Sequence, residues 1–317
     1  MGLAMLGAVS QGILWGVMVL GVFITYKLLD IADLTVDGSF ALGGSVCAVL
    51  VVSGVDPVLA IFAAMLAGMI AGAVKGFLHT VFEIPAILAG ILTQIALWSV
   101  NLRIMGKSNT PLLRVDTLFS NVTDATGLPQ NVASIIVGLI FAILIIVALY
   151  WFFGTEIGSA CRATGNNEAM VRALGVDTKV TKMIALTLSN GLVGLSGGLI
   201  CESQGYADIG MGTGAIVIGL AAIVIGEVLG RLTPGKLRSF GSRLTAAVVG
   251  SVVYFLIRAI VLQLGMDAND MKLISAVIVA LALCIPVVWE KYQLRRAYAR
   301  SAKAAPATPA ANSEGGR

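Results

Sequence analysis

One stretch of the sequence comes close to a nucleotide-binding pattern. The residues GRLTPGKL, Gly230–Leu237, contain the glycines and the lysine of a phosphate-binding loop. That pattern also requires Ser or Thr after the lysine as a Mg²⁺ ligand, and a strand before the loop. Here Leu237 follows Lys236, and an apolar helical run precedes the motif. We therefore expect a basic turn, and we expect that this chain binds neither ATP nor Mg²⁺.

Groups for metal binding or acid–base catalysis are scarce. His79 is the single histidine, and none of the four cysteines forms a C-x-x-C pair. Metal sites in proteins are built from such ligands, so we expect no metal site in the chain. The absence of an acid–base cluster also disfavours a membrane enzyme.

A charged loop, residues 154–182, separates two apolar runs. Within it, NNEAMVRAL predicts a helix of two to three turns that lies between Gly165 and Gly175, with Asn166 as its N-cap. Glu168 and Arg172 are spaced i, i+4 and are expected to pair. The apolar side of this helix would suit docking into the groove of a partner. Its members are Ala169, Met170, Ala173 and Leu174.

The rest of the chain has the composition of a membrane protein. Of its 317 residues, 58% are hydrophobic and 12% charged, and the mean hydropathy is +0.95. We predict an all-α integral membrane protein, a bundle of about nine transmembrane helices with a short cytoplasmic helix in the charged loop. The predicted spans are Gly7–Leu28, Ser39–Val55, Pro57–Val81, Ile84–Leu102, Val132–Phe153, Met183–Cys201, Ala215–Leu229, Leu244–Leu264 and Met271–Trp289.

The distribution of basic residues orients the spans. With the loop 154–182 in the cytoplasm, most Lys and Arg between the spans and after the last one also lie inside, as the positive-inside rule requires. Arg103, Lys107 and Arg114 are exceptions. We predict one transmembrane domain, residues 1–290, with the N terminus outside, and a basic, disordered cytoplasmic tail, 291–317. The outer segment 104–130 is rich in turn residues, so no helix is expected there.

Two segments carry a family resemblance. RATGNNEAMVRALGVDTKVTKMIALTLSNGLVGLSGGL is similar to the coupling-helix region of ATP-binding-cassette importer permeases of the branched-chain amino acid and ribose type. LLDIADLTVDGSFALGGSV resembles the segment that opens the second span in that family. Asp37 and Ser39 are typical of a subgroup for which aromatic amino acids are one suggested cargo. The other matching residues are Arg162, Ala163, Gly165, Asn166, Ala169, Gly175, Ser196, Gly197, Gly198, Asp33, Leu34, Thr35, Val36 and Gly38.

The resemblance implies a permease subunit that translocates a small solute, an amino acid or related compound, by alternating access in the bacterial inner membrane. It implies separate ATPase subunits that bind ATP and Mg²⁺, a periplasmic or lipid-anchored substrate-binding protein, and a second permease copy, with no nucleic acid partner. It also implies a set of ATPase-coupling residues. These are Arg162, Gly165, Asn166, Glu168, Ala169, Met170, Arg172, Ala173, Leu174 and Gly175.

Polar residues inside apolar spans are candidates for the translocation path. They are Thr93, Gln94, Asn190 and Arg258. For the first three, hydrogen bonding between helices is the favoured role. For Arg258, a structural ion pair and a place on the path both remain open, but either excludes lipid contact. Lys75 and His79 are expected to snorkel to the inner surface.

An ion-coupled secondary transporter is the alternative to an importer driven by ATP. It would require carboxylates near the middle of the membrane. The sequence offers few, since Asp30, Asp33 and Asp37 are expected beside the membrane rather than within it.

Overall fold

The computed structural model of the chain describes residues 2–113, 115–232 and 239–264, and the isolated positions 273, 276, 277, 279–281, 284 and 291. Most of the predicted ninth span, almost all of the predicted tail and most of the motif GRLTPGKL lie outside these residues. The count of nine spans therefore stays a prediction.

The described part of the chain is a helical bundle with one two-stranded sheet. Strands β1 (Asn109–Pro111) and β2 (Tyr206–Asp208) pair antiparallel, and a π-helical turn, Ile24–Leu28, continues the first helix. The helices are α1 (Gly2–Phe23), α2 (Val36–Val52), α3 (Pro57–Thr80), α4 (Ala86–Met105), α5 (Leu118–Thr126), α6 (Gln130–Gly154), α7 (Glu156–Asn166), α8 (Glu168–Ala173), α9 (Thr178–Gln204), α10 (Ala215–Leu232) and α11 (Phe240–Gln263).

Six of the described helices are long and apolar enough to cross a membrane. They are α1 with its π-helical turn, α3, α4, α6, α9 and α11; α2 and α10 are shorter apolar helices. Each of the first eight predicted spans overlaps one of these eight helices. The end of the bundle that carries α7 and α8 is called the inner end here, and the end that carries the sheet is called the outer end.

Helices α1 and α9 form the centre of the bundle, while α4 and α6 expose large apolar side chains as lipid-facing helices do. Helix α9 packs closely on α3 through glycines of α3 that are spaced four residues apart. A Cβ atom on Gly72 would lie 2.5 Å from the Leu186 carbonyl oxygen. The backbones of α3 and α9 thus approach each other as small residues allow in lipid.

The outer segment 104–130 departs from the prediction, because it contains α5 as well as β1. Thr117 caps α5 by accepting a hydrogen bond from the Ser120 backbone N–H at 3.1 Å. Glu202 of α9 accepts another from the Leu118 N–H at 2.8 Å. The helix is therefore stabilised by a carboxylate distant in sequence, which local turn propensity does not reveal.

Helix α10 begins inside the bundle. After β2 the chain descends along α2, so that Gly212 packs against the backbone of Asp37. The Asp37 carboxylate then accepts hydrogen bonds from the backbone N–H groups of Gly214 and Ile216, at 2.9 and 3.0 Å. These bonds satisfy the free donors at the start of α10. The internal start explains why the seventh predicted span is short.

Candidate functional site

The inner loop folds into two helices rather than one helix between two glycines. Gly165 and Asn166 belong to α7, and Asn167 is the N-cap of α8, accepting a hydrogen bond from the Met170 N–H at 3.0 Å. The predicted cap at Asn166 is therefore wrong by one residue. Gly165 lies within α7, and its missing side chain lets the helix approach the Leu28 backbone closely.

The predicted pair of Glu168 and Arg172 is confirmed, with 2.8 Å between Oε1 and a guanidinium nitrogen. Glu168 also contacts Lys182 of α9, at 2.7 Å from Oε2 to Nζ. The hydrogen bond from Lys182 and the nearby positive charges lower the pKa of Glu168 below its usual value. Glu168 is therefore ionised at neutral pH and connects α8 to α9.

Helix α8 is anchored on one side only. Val171 is buried, with 2% of its surface exposed, and it faces the rest of the protein. The predicted apolar side points the other way, and Leu174 is 73% exposed. Ala169, Met170 and Ala173 are exposed with it. The result is a small apolar surface that nothing in the described part of this chain covers.

Helix α7 holds α8 against the bundle. The Thr164 and Thr181 hydroxyls are 3.0 Å apart, and the Cys161 thiol donates to the Thr181 carbonyl at 3.4 Å. Burial raises the pKa of Cys161 to about 11. The guanidinium of Arg162 lies 5.6 Å from the centre of the Phe240 ring. These contacts connect α7 to α9 and α11, so α8 has a defined position.

The four candidate path residues do not line one cavity. Thr93 donates to the Ala89 carbonyl of its own helix at 2.8 Å and borders an apolar cavity between α2, α3 and α4. Gln94 lies where α4 approaches Gly38 of α2. Asn190 is completely buried. Arg258 lines two cavities at the outer end.

Asn190 belongs to a buried polar network that the sequence did not reveal. Its amide donates to Asp33 Oδ2 at 2.9 Å, and its carbonyl accepts from the Ser39 hydroxyl at 2.7 Å. Lys75 Nζ lies 2.8 Å from Asp33 Oδ1, and these two side chains are 0% and 1% exposed. Asp33 is the carboxylate that neutralises the buried Lys75 ammonium within the described residues.

Two predictions change with this network. Lys75 does not snorkel, because its ammonium turns into the bundle towards Asp33. Asp33 does not lie beside the membrane, because it meets Asn190 roughly halfway along α9. Lys75 directly precedes the last glycine of the series Gly68, Gly72 and Gly76, and this position could have indicated from the sequence that Lys75 is buried. That series indicates tight packing, which leaves a lysine no route to the surface.

No group of three or more His, Cys, Asp or Glu side chains with the arrangement of a metal site occurs within the described ranges.

Comparison with known proteins places the chain in a transport family. The family model described as the permease component of branched-chain amino acid transport systems matches residues 4–284. A tyrosine transport system permease protein of Clostridioides difficile is 37% identical over 86% of this chain and 88% of its own length. An uncharacterized protein of Rickettsia prowazekii is 33% identical over 87% of this chain and 95% of its own length.

A more distant relative is the ribose import permease protein of Escherichia coli K12, 29% identical over 52% of this chain and 50% of its own length. No solved structure matches the chain. The family match covers most of the sequence, and the apolar helices agree with it. The chain is therefore a multi-pass membrane protein that belongs to the branched-chain amino acid transport system permease family.

Proposed function

We propose that this chain is the membrane-spanning subunit of an ATP-binding-cassette importer that moves an amino acid across the bacterial inner membrane. Permease components of such systems work with ATPase and binding-protein partners. The tyrosine transport permease of C. difficile, similar over most of its length, supports an aromatic amino acid as cargo. A second copy of the permease would complete the pathway.

The observation that carries this proposal is the exposed apolar side of α8. Helix α8 is held firmly by Val171 and by the Glu168–Lys182 contact, yet Leu174 and Met170 remain uncovered. A rigidly placed helix with an unpartnered apolar side suits a groove on another protein. In the proposed mechanism an ATPase subunit supplies that groove and binds ATP and Mg²⁺, and its closure pulls α8 and moves the spans.

Ion coupling is less well supported by the geometry. Asp33 is a buried carboxylate that meets α9 roughly halfway along its length, and Lys75 and Asn190 already neutralise and hydrogen-bond it. A coupling carboxylate must exchange its partner for an ion during transport. Uptake that is abolished by vanadate would support the ATPase-driven mechanism, and uptake that follows an ion gradient alone would support the alternative.

The coupling proposal is tested with Ala173→Asp. A carboxylate buried in an apolar contact without a partner would destabilise the docked complex by about 3 kcal/mol or more. We expect association with the ATPase to weaken by about a hundredfold, while the permease still reaches the membrane. Co-purification and stimulated ATP hydrolysis measure both effects.

Two controls accompany this variant. Ala173→Ser keeps the site small and neutral, and Ser239→Asp adds the same charge at an exposed inner position outside α8. Both should couple normally. If Ala173→Asp also couples normally in a well-folded protein, α8 does not contact the ATPase.

A further inference from the structure

The outer end of the bundle contains a cavity of about 790 Å³ between α1, α11 and the segment that leads into α10. This volume lies within the range of small-molecule sites, which are mostly apolar with a few placed polar groups. Among the described residues, the lining of this cavity combines a cation, an anion, aromatic rings and neutral polar groups. The side chains that matter here are Gln11, Trp15, Tyr206, Asp208, Thr213 and Arg258.

Arg258 supplies the cation. It lies five residues before the end of α11 and also lines an adjoining cavity of about 580 Å³, which shares Gln11 and Gln204 with the first. Its guanidinium sits 5.8 Å from the centre of the Phe255 ring and forms no ion pair with a carboxylate of the described residues. Asp267 and Asp270 lie outside those residues. A guanidinium on an apolar helix requires water or an anion opposite it.

Trp15 supplies an aromatic wall and a free donor. Its ring stacks on Phe40 with 4.8 Å between centroids and contacts Phe255 at 5.6 Å, so its orientation is fixed. It is 8% exposed, and its indole Nε1–H has no hydrogen-bond partner within the described part of the chain. A buried donor is normally satisfied, so this one indicates a missing acceptor. Trp15 lies about 20 Å below the outer start of α1, at 1.5 Å per residue.

Asp208 supplies the anion near the outer opening. Its Oδ1 accepts a hydrogen bond from the Gly210 N–H at 2.8 Å, which fixes the carboxylate. Its Oδ2 has a single contact among the described residues, the Asn109 amide at 3.4 Å. This oxygen therefore retains capacity to accept a hydrogen bond from an ammonium group.

We infer that this outer cavity binds a free aromatic α-amino acid, with Arg258 holding the α-carboxylate, Asp208 the ammonium group and Trp15 the side chain. The inference deepens the proposed function and depends on it. A guanidinium matches a carboxylate with two parallel hydrogen bonds, and an indole wall favours an aromatic ring. The indole N–H would donate to an oxygen of the bound molecule.

The test measures equilibrium binding of radiolabelled L-tyrosine to the full-length permease in lipid nanodiscs, without ATP. Tyramine, which lacks the carboxylate, and 3-(4-hydroxyphenyl)propanoate, which lacks the ammonium group, are the competitors. Both should compete at least about tenfold more weakly than unlabelled L-tyrosine, since each loses one charged contact.

Variants then assign the contacts. Arg258→Gln should weaken L-tyrosine binding by about tenfold or more and leave the weak competition by tyramine unchanged. Trp15→Phe keeps a ring but removes the donor, so a loss of about three- to tenfold is expected. Arg103→Gln is the matched control, because Arg103 is exposed at the outer end of α4 and lines neither cavity.

Three results would overturn the inference: no binding of L-tyrosine, equal competition by tyramine, or unchanged affinity in Arg258→Gln. The proposed function fails differently, by the absence of an associated ATPase or of vanadate-sensitive uptake. If the permease stimulates an ATPase but gives one of these three results, the proposed function stands and the proposed binding site is refuted.

Discussion

At the scale of single residues, the Asp33–Lys75 pair is a fully buried ion pair within the described structure. Both side chains are buried, and Asn190 and the Thr35 N–H complete the hydrogen bonds of the carboxylate. A buried ion pair contributes little net stability, because desolvation of two charges offsets their attraction. Removing one partner is different, since the other charge then remains buried and uncompensated. The pair therefore connects α3, α2 and α9 in one arrangement.

Lys75→Met should lower the free energy of unfolding by about 3–5 kcal/mol, because it leaves the Asp33 carboxylate without its counter-charge. The double variant Asp33→Asn with Lys75→Met should recover most of this loss, since no charge is then buried. Thermal unfolding of the purified protein in detergent measures both changes.

Lys179→Met is the matched control for that prediction. Lys179 contacts Glu83 at 3.1 Å, but the two side chains are 53% and 77% exposed. Its loss should change stability by less than about 1 kcal/mol. Equal stability of Lys75→Met and Lys179→Met would show that the buried pair does not hold the helices.

At the scale of elements, the contact between α3 and α9 depends on small residues facing backbone. Gly72 lies directly against the Leu186 carbonyl, whereas a Cβ on Gly76 would be 3.4 Å from its nearest neighbour, the Met183 Cα. Gly72 and Gly76 are four residues apart, as Gly68 and Gly72 are. The surroundings of Gly72 and Gly76 nevertheless differ. The two helices are therefore closest near Asn190 and diverge towards the inner end.

Gly72→Ala should destabilise the protein by about 1–3 kcal/mol, because the added methyl group forces α3 and α9 apart. Gly76→Ala should be neutral or slightly stabilising, since alanine favours the helix and the methyl group makes ordinary contact. Both are measured by the midpoint of thermal unfolding. Identical midpoints for the two variants would contradict the close approach at Gly72.

The sequence predicts the elements better than their ends and partners. Apolar runs located eight helices, because lipid requires such runs whatever the tertiary structure. The internal start of α10 was not visible, since the Asp37 carboxylate that satisfies its N–H groups lies more than 170 residues away in the chain. For the same reason α5, which Glu202 helps to cap, was predicted as turns.

In the candidate sites too, features that depend on residues close in sequence were predictable, and contacts between distant elements were not. The Glu168–Arg172 pair and the exposed side of α8 follow from helical spacing, which is local. Arg258 stood out as a charge in an apolar run, but its neighbours Trp15 and Asp208 come from distant elements. A single sequence identifies an isolated charge, and only the folded chain shows which groups surround it.

At the scale of the whole molecule, the distribution of basic residues favours the orientation predicted from the sequence. The continuous helix from Ala4 to Leu28 and its contacts place the N terminus at the outer end, with α5 and the sheet. Lys27 pairs with Glu227 at the inner end, 2.8 Å apart, near α7. The proposed docking surface on α8 and the proposed binding cavity thus lie at opposite ends of the bundle.

Labelling of single cysteines tests this orientation. Asn167→Cys and Ser239→Cys should react with a membrane-impermeant thiol reagent only when the cytoplasmic face is open to it. Ser108→Cys and Asn121→Cys should react in intact cells. All four positions are exposed. The native cysteines are replaced first, since Cys284 is exposed and Cys161 lies in the same loop as Asn167. Labelling of Asn167→Cys in intact cells would invert the orientation and separate α8 from any cytoplasmic ATPase.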